Sequence, residues 1–170
     1  MTSLYLFRHG ETEENARHVL QGLMPGHLSE LGIRQTKDAA DTVRALDVDV
    51  VLCSDIKRCV DTYDILSLEI TGLPEINTTK LLRERDWGSA TGTVADGFTK
   101  IEMPDDAETM KTVKARARIF LEFVGKTYSG KKVLAISHGL FLRVLQSVVA
   151  DKELRDIEPM KNAEVRLLTI

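Results

Sequence analysis

The sequence is short of cysteine, of long apolar runs and of excess charge of either sign. Its two cysteines, Cys53 and Cys59, are too few for a disulfide framework, and their spacing fits neither a zinc motif nor a redox motif. They are expected to pack as buried or half-buried small hydrophobes. Lys and Arg number 23 against 26 Asp and Glu, a formal net charge of -3. That balance gives no general attraction for nucleic acid or an anionic membrane, so any anion site has to be a local cluster. No stretch resembles a membrane span, and the amino terminus has no positive leader before its first apolar run. The expectations are a cytoplasmic location and neither nucleic acid nor membrane as partner. Repeats, low-complexity tracts and linkers are also lacking. With 170 residues, enough for a substantial core, a single domain over 1–170 is expected.

What is present is an alternation of apolar runs with amphipathic segments. Leu4 begins a short apolar run that delivers Arg8, His9, Gly10 and Glu11 to its carboxyl end, and Val133 to Ser137 is a second run ending on His138-Gly139. Buried parallel strands read as near-continuous runs of this kind. Asp49 to Cys53, Glu75 to Thr79 and Glu164 to Thr169 supply further strands. Ser29 reads as the N-cap of a helix reaching about Leu46, with Leu31, Ala39, Val43 and Leu46 on its apolar face. Ser54-Asp55 can cap a helix from Ile56 to Leu68, with Arg58 in its first turn and Thr62 on the same face. Ala107 to Tyr128 is a long amphipathic helix turning Met110, Val113, Ala117, Phe120, Leu121 and Val124 inward and Lys111, Lys114 and Arg118 outward. Leu140 to Val149 reads as a buried helix, and Glu11 to Arg17 as a short helix or turn. From Leu81 to Thr109 the periodicity fades, and Gly88, Gly92, Gly97 and Pro104 mark a long connection. Such connections in compact domains are usually functional or mobile. Strands alternating with helices indicate an α/β sandwich with a largely parallel sheet, whose strand order the pattern does not reveal.

The two His-Gly strand ends carry the chemistry. In open α/β sheets, ligands bind beyond the carboxyl ends of the strands. Imidazole is nucleophilic only when neutral, and a neighbouring guanidinium disfavours the imidazolium. Arg8 offers a permanently charged fork of donors suited to phosphate or carboxylate oxygens. Read singly, the same residues admit plainer roles. His9 alone suits a structural histidine, Arg58 a solvated helix face, and Glu84, among Arg83, Arg85 and Asp86, a surface ion-pair cluster. His18 and His27 read as surface loop residues, and Trp87 as packing near the mouth of a site.

Taken together, these stretches resemble the histidine phosphatase superfamily, or phosphoglycerate mutase-like family. Arg8-His9-Gly10-Glu11-Thr12 resembles its signature, and Asn15 and Gln21-Gly22 match positions usually filled so. Ser54-Asp55-Ile56-Lys57-Arg58 resembles its second block, Leu82 to Gly88 its acid-bearing stretch, and Ser137-His138-Gly139 its final block. The blocks occur in family order from about Leu4 to Arg143. The resemblance implies a three-layer α/β/α sandwich of the phosphoglycerate mutase-like kind, with a small cap or insert at about 85–109. It also implies phosphoryl transfer through a phosphohistidine on His9. Arg8, Arg58 and His138 would hold the phosphoryl oxygens, with Asn15, Gln21, Gly22 and Ser54 as further phosphate or substrate contacts. Glu84 would protonate the leaving oxygen and later take a proton from water. Neither cofactor nor metal is called for, and the partner is a small phosphorylated metabolite. The oligomeric state stays open, a homodimer included.

The sequence departs from the family pattern at Pro25, where aspartate is common, and at His27, where proline is common. Asp61 replaces a frequent glutamine and Cys59 a frequent alanine. Pro25 and His27 are therefore where a mark of substrate identity is first expected. The modest connection from Trp87 to Ala107, and an end at Ile170 directly after the last strand, favour hydrolysis over a cofactor-dependent phosphoglycerate mutase, which must shield its phosphoenzyme from water. The remaining alternatives are a non-catalytic phosphate-binding regulatory module, which Glu84 in register opposes, and a metal-dependent hydrolase, whose cation the arginines would repel.

Overall fold

The computed structural model describes residues 1–95 and 101–170. Gly97, one marker of the expected long connection, lies outside the described residues. The strands are β1 (Ser3–Arg8), β2 (Val50–Ser54), β3 (Ile76–Thr79), β4 (Lys132–Ser137) and β5 (Val165–Thr169). They form one sheet in the order β3-β2-β4-β1-β5, parallel except for β5, which runs antiparallel to β1 at the edge. The helices are α1 (Glu13–Ala16), α2 (Glu30–Asp38), α3 (Ala40–Leu46), α4 (Lys57–Glu69), α5 (Met110–Thr127) and α6 (Gly139–Ala150).

The central strands are apolar on both faces, and their two-residue period sorts each side chain to one of two cores. Leu4 and Leu6 of β1 and Val133 and Ala135 of β4 join Val113, Phe120, Phe141 and Leu145 beneath α5 and α6. Phe7, Leu134 and Ile136 point the other way, to Val43, Cys59, Tyr63 and Leu66 of α3 and α4. Helices on both faces make the expected three-layer α/β/α sandwich. Both cysteines are free and buried.

Two local expectations are corrected. The helix expected from Ser29 to Leu46 is two, breaking at Ala39, and its buried face is not the one containing Leu31, which is 43% exposed. The expected Val43 is buried, with Ala39 and Leu46 packed against the same core, but in α2 the buried positions are Gly32 and Thr36 rather than Leu31. The cause is backbone packing: a Cβ on Gly32 would lie 2.0 Å from the Glu11 carbonyl oxygen, and one on Gly10 would lie 2.5 Å from that of Gly32. Only glycine lets α2 rest directly on the chain that follows β1. The second correction concerns the start of α4, where Ile56 is the N-cap and makes no side-chain capping bond. Asp55 instead receives two hydrogen bonds from Arg83, at 2.7 and 2.6 Å.

Candidate active site

Strands β1 and β4 are parallel neighbours in a register that pairs Arg8 with Ser137, so His9 and His138 leave the sheet side by side. Their rings meet edge to face, with centroids 5.3 Å apart. His9 is almost wholly buried, and its Nδ1 lies 2.7 Å from the Gly10 carbonyl oxygen. A carbonyl only accepts, so Nδ1 carries the hydrogen and Nε2 keeps a free lone pair. The Arg58 Nε–H donates to that Nε2 at 3.3 Å. Burial, then the positive charge of Arg58, push the His9 imidazole well below its ordinary value, with Arg8 adding to them. The ring is therefore neutral at neutral pH.

Arg58 reaches this place from the first turn of α4 and is 1% exposed. The carbonyls of Gly22 and Met24 accept from its Nη2 and Nη1, at 2.9 and 2.5 Å. The turn that supplies them bends at Gly22 and Gly26, both at positive φ. Arg8 passes over Gly139, where a Cβ would stand 3.0 Å from the guanidinium carbon, and donates from Nη1 to the Met160 carbonyl at 2.5 Å. Its Nε is buried with no partner among the described residues.

Glu84 is not part of a surface ion-pair cluster. Its Oε1 accepts from the backbone of Arg85 at 2.9 Å and of Phe141 at 3.1 Å, and its Oε2 from Leu140 at 3.1 Å. The carboxylate thus sits on the first amides of α6, where a helix favours negative charge. The neighbours that suggested the cluster are engaged elsewhere: Arg83 with Asp55, and Arg85 above the Trp87 ring at 4.7 Å.

A cavity of about 300 Å³ opens over these groups. Arg8, His9, Asn15, Gln21, Arg58 and Glu84 form its polar wall, and Gly22 and Gly139 let the backbone approach. Val19, Leu20, Trp87, Leu140 and Pro159 form the apolar wall. The stretch carrying Trp87 is tied to the opposite rim by the bridge between Val19 and Val94 and by hydrogen bonds between Leu20 and both Gly92 and Thr93. Two expected contacts do not line the cavity. His138 stands behind His9, and Ser54 is fully buried, its hydroxyl 2.8 Å from His138 Nε2. Burial first, then Arg58 and His9, hold the His138 imidazole well below its ordinary value. Asn15 lines the cavity while its side chain closes a capping box with Thr12. Pro25, His27 and Asp61 are not in the wall. His27 is a surface residue paired with Glu14 at 2.8 Å, and Asp61 pairs with Lys57. The rest of the wall is made by Val19, Leu20, Trp87, Leu140, Arg143 and Pro159.

Two supporting residues escaped the sequence reading. Arg116 donates to the carbonyls of Leu81, Arg83 and Glu84, and pairs with Glu108 at 2.9 Å, fixing the segment that presents Glu84. Its spacing was the available signal, because it falls three residues after Val113 and four before Phe120, inside the apolar face of α5. Asn162 donates to the His9 carbonyl at 3.0 Å, and no pattern in the sequence marks it.

Comparison with known proteins agrees with this geometry. PhoE of Bacillus subtilis (strain 168), named as an uncharacterized phosphatase, is 32% identical over 91% of this chain and 82% of its own length. A metal-independent phosphoserine phosphatase of Arabidopsis thaliana is 29% identical over 89% of this chain and 72% of its own. The solved structure of Bacillus stearothermophilus YhfR superposes with a TM-score of 0.91 at 24% identity, covering 100% of this chain and 92% of that one, and so shares the fold. Residues 4–170 match the family model described as histidine phosphatase superfamily (branch 1), and the chain belongs to that superfamily.

Proposed function

We propose that the chain is a phosphomonoester hydrolase acting on a small phosphorylated metabolite through a phosphohistidine at His9 Nε2. The observation that carries this reading is the neutral Nε2 lone pair of a buried histidine in a cavity that also contains Arg8 and Arg58. In the first step Nε2 attacks phosphorus in line, the N–P bond forms and the bond to the leaving oxygen breaks. Glu84 delivers a proton to that oxygen. Water then gives a proton to Glu84 and attacks phosphorus, which releases inorganic phosphate and restores His9. The guanidiniums of Arg8 and Arg58 stabilise the charge on the phosphoryl oxygens, the main contribution a protein makes to such chemistry. His138, buried behind His9 and outside the cavity wall, supports the His9 ring by edge-to-face contact rather than touching the phosphoryl group. Ser54 holds the His138 ring in place rather than touching phosphate. Of the expected cap at about 85–109, residues 96–100 lie outside the described residues; the described stretch 85–95 contributes Trp87 to the cavity wall and acts as a small cap.

Hydrolysis is favoured over mutase action by the phosphatase names of the Bacillus and Arabidopsis relatives, each aligned over most of the chain. Metal independence is supported by the Arabidopsis relative and by the guanidiniums in the cavity, which repel a divalent cation. The test is a phosphate-release screen over sugar phosphates, nucleotides, phosphoglycerates and phosphoserine, with and without strong chelator, beside His9→Ala. The wild type should release phosphate unaffected by chelation, and the variant should not. Full activity in His9→Ala removes the nucleophile assignment. Interconversion of phosphoglycerates far faster than phosphate release would make the chain a mutase.

A further inference from the structure

One cation in the cavity has no part in the phosphoryl chemistry. Arg143 lies on α6 four residues beyond Gly139, on the same helix face and about 6 Å further along the axis. Its Nε donates to the Ile157 carbonyl at 2.5 Å, which anchors the side chain. Among the described residues neither of its Nη atoms has a hydrogen-bond partner, and no carboxylate pairs with it. Of the other half-buried arginines nearby, Arg83 pairs with Asp55, Arg116 with Glu108 and Arg166 with Glu164, while Arg85 donates to the Glu108 carbonyl and lies over the Trp87 ring. Arg143 thus presents the open end of a guanidinium fork to a cavity whose phosphate end lies elsewhere.

Charge decides what that fork would receive. When Glu84 holds the proton it must deliver, Arg8, Arg58 and Arg143 face a dianionic phosphoryl group, and one positive charge is left over. A single monoanion on the leaving group balances it. A second phosphate would overshoot, beside a Glu84 that ionises as soon as it acts. The two free Nη groups match the two oxygens of a carboxylate. Val19, Leu20 and Leu140 add apolar side chains to the same cavity wall, suited to a short carbon chain.

We propose that Arg143 is a specificity-determining residue that recognises a carboxylate on the leaving group, a few carbon atoms from the phosphate ester. The proposal rests on the phosphatase reading for the identity of the other end of the substrate.

The experiment separates the two. Binding of 3-phosphonopropionate and propylphosphonate is measured calorimetrically. Hydrolysis of 3-(phosphonooxy)propanoate and propyl phosphate is followed by phosphate release. Wild type, Arg143→Gln and Arg143→Lys are compared, with thermal melting to establish that each is folded. The wild type should favour the carboxylated member of each pair by about tenfold or more, as expected for a charge-assisted pair. Arg143→Gln should bring both ratios close to one. Should that variant melt below the assay temperature, Arg143→Lys decides, with a ratio reduced by loss of the fork. A preference that is absent in the wild type, or undiminished in the folded variants, overturns the proposal. A binding preference that depends on Arg143, with no hydrolysis of either ester, upholds it and removes the phosphatase reading. Equal hydrolysis of both esters, unaltered in ratio by the variants, does the reverse.

Discussion

Replacing Gly32 by alanine sets two physical effects of opposite sign against each other. Gly32 lies in the first turn of α2, where its N–H donates to the Ser29 hydroxyl at 3.0 Å, and its φ is not positive. By backbone entropy alone, alanine at such a helical site should stabilise by about 0.4–1 kcal/mol. Against this, the new Cβ would fall 2.0 Å from the Glu11 carbonyl oxygen and 2.7 Å from its nitrogen. Both are backbone atoms and cannot rotate away, so α2 has to lift off the segment that follows His9. Overpacking of this kind costs about 1–3 kcal/mol, and the rigid neighbour places this case toward the upper end. The net expectation is a loss of about 1–2 kcal/mol, or roughly 2–8 °C in melting temperature for a domain of this size. Gly125 in α5 is the control, since a Cβ there meets nothing within 4 Å. Its alanine variant should gain about 0.4–1 kcal/mol. Urea unfolding of both variants, with m-values compared, measures the difference directly. If Gly32→Ala is as stable as the parent, the backbone of α2 does not rest on Glu11, and the account of how the strand end is held falls with it.

Three further outcomes are expected. Glu84→Gln should lower kcat by about a hundred- to ten-thousand-fold toward a phosphomonoester with a poor leaving group, and much less toward a nitrophenyl ester that leaves unaided; an equal loss on both would deny Glu84 the role of acid. Arg116→Met should cost about 1–3 kcal/mol, because Glu108 and three carbonyls lose a half-buried cationic partner. Unfolding that matches the parent would show the network to be dispensable. Stability should also fall on acidification. His9 and His138 are held neutral, with burial the larger cause and Arg58 the next. Below about pH 6.5 the unfolded chain therefore binds protons that the folded chain refuses. Their contribution is complete above that pH and is lost below it, at up to about 1.4 kcal/mol per pH unit for each histidine. Urea titrations from pH 7.5 to 5 check the slope, which His9→Asn should reduce; a flat profile would contradict the burial of both rings.

The strands were legible because their apolar runs stop at polar residues, and the helices because α4, α5 and α6 keep a 3.6-residue period. The position of β5 was not legible, since an apolar run does not state its direction or its neighbour. Leu31 misled for a related reason. Apolar residues mark the buried face of a helix only where side chains do the packing, and at α2 the contact is made by Gly32, which has none. In the site, His9, Arg8 and Arg58 stood out as residue types in a pattern, and the cavity brings them together. Ser54 and Asn15 were recognised as near the site, but their immediate bonds are to His138 and Thr12. Asn162 and Arg143 carry no such signal, because a charged or amide side chain on a helix or loop looks the same in sequence whether it meets water or a buried carbonyl; Arg116 is marked only by its place inside the apolar face of α5.

The register that brings Ser137 level with Arg8 ties the cavity to a long-range closure of the chain. His9 and His138 are far apart in the sequence, so no fragment and no partly folded intermediate lacking the β1-β4 pair can set the His9 ring against the His138 ring. Such long-range pairings form at a high entropic cost and hold only when the whole core supports them. Occupancy of the cavity and global folding are therefore one equilibrium, and inorganic phosphate should raise the melting temperature in proportion to the logarithm of its concentration once it saturates.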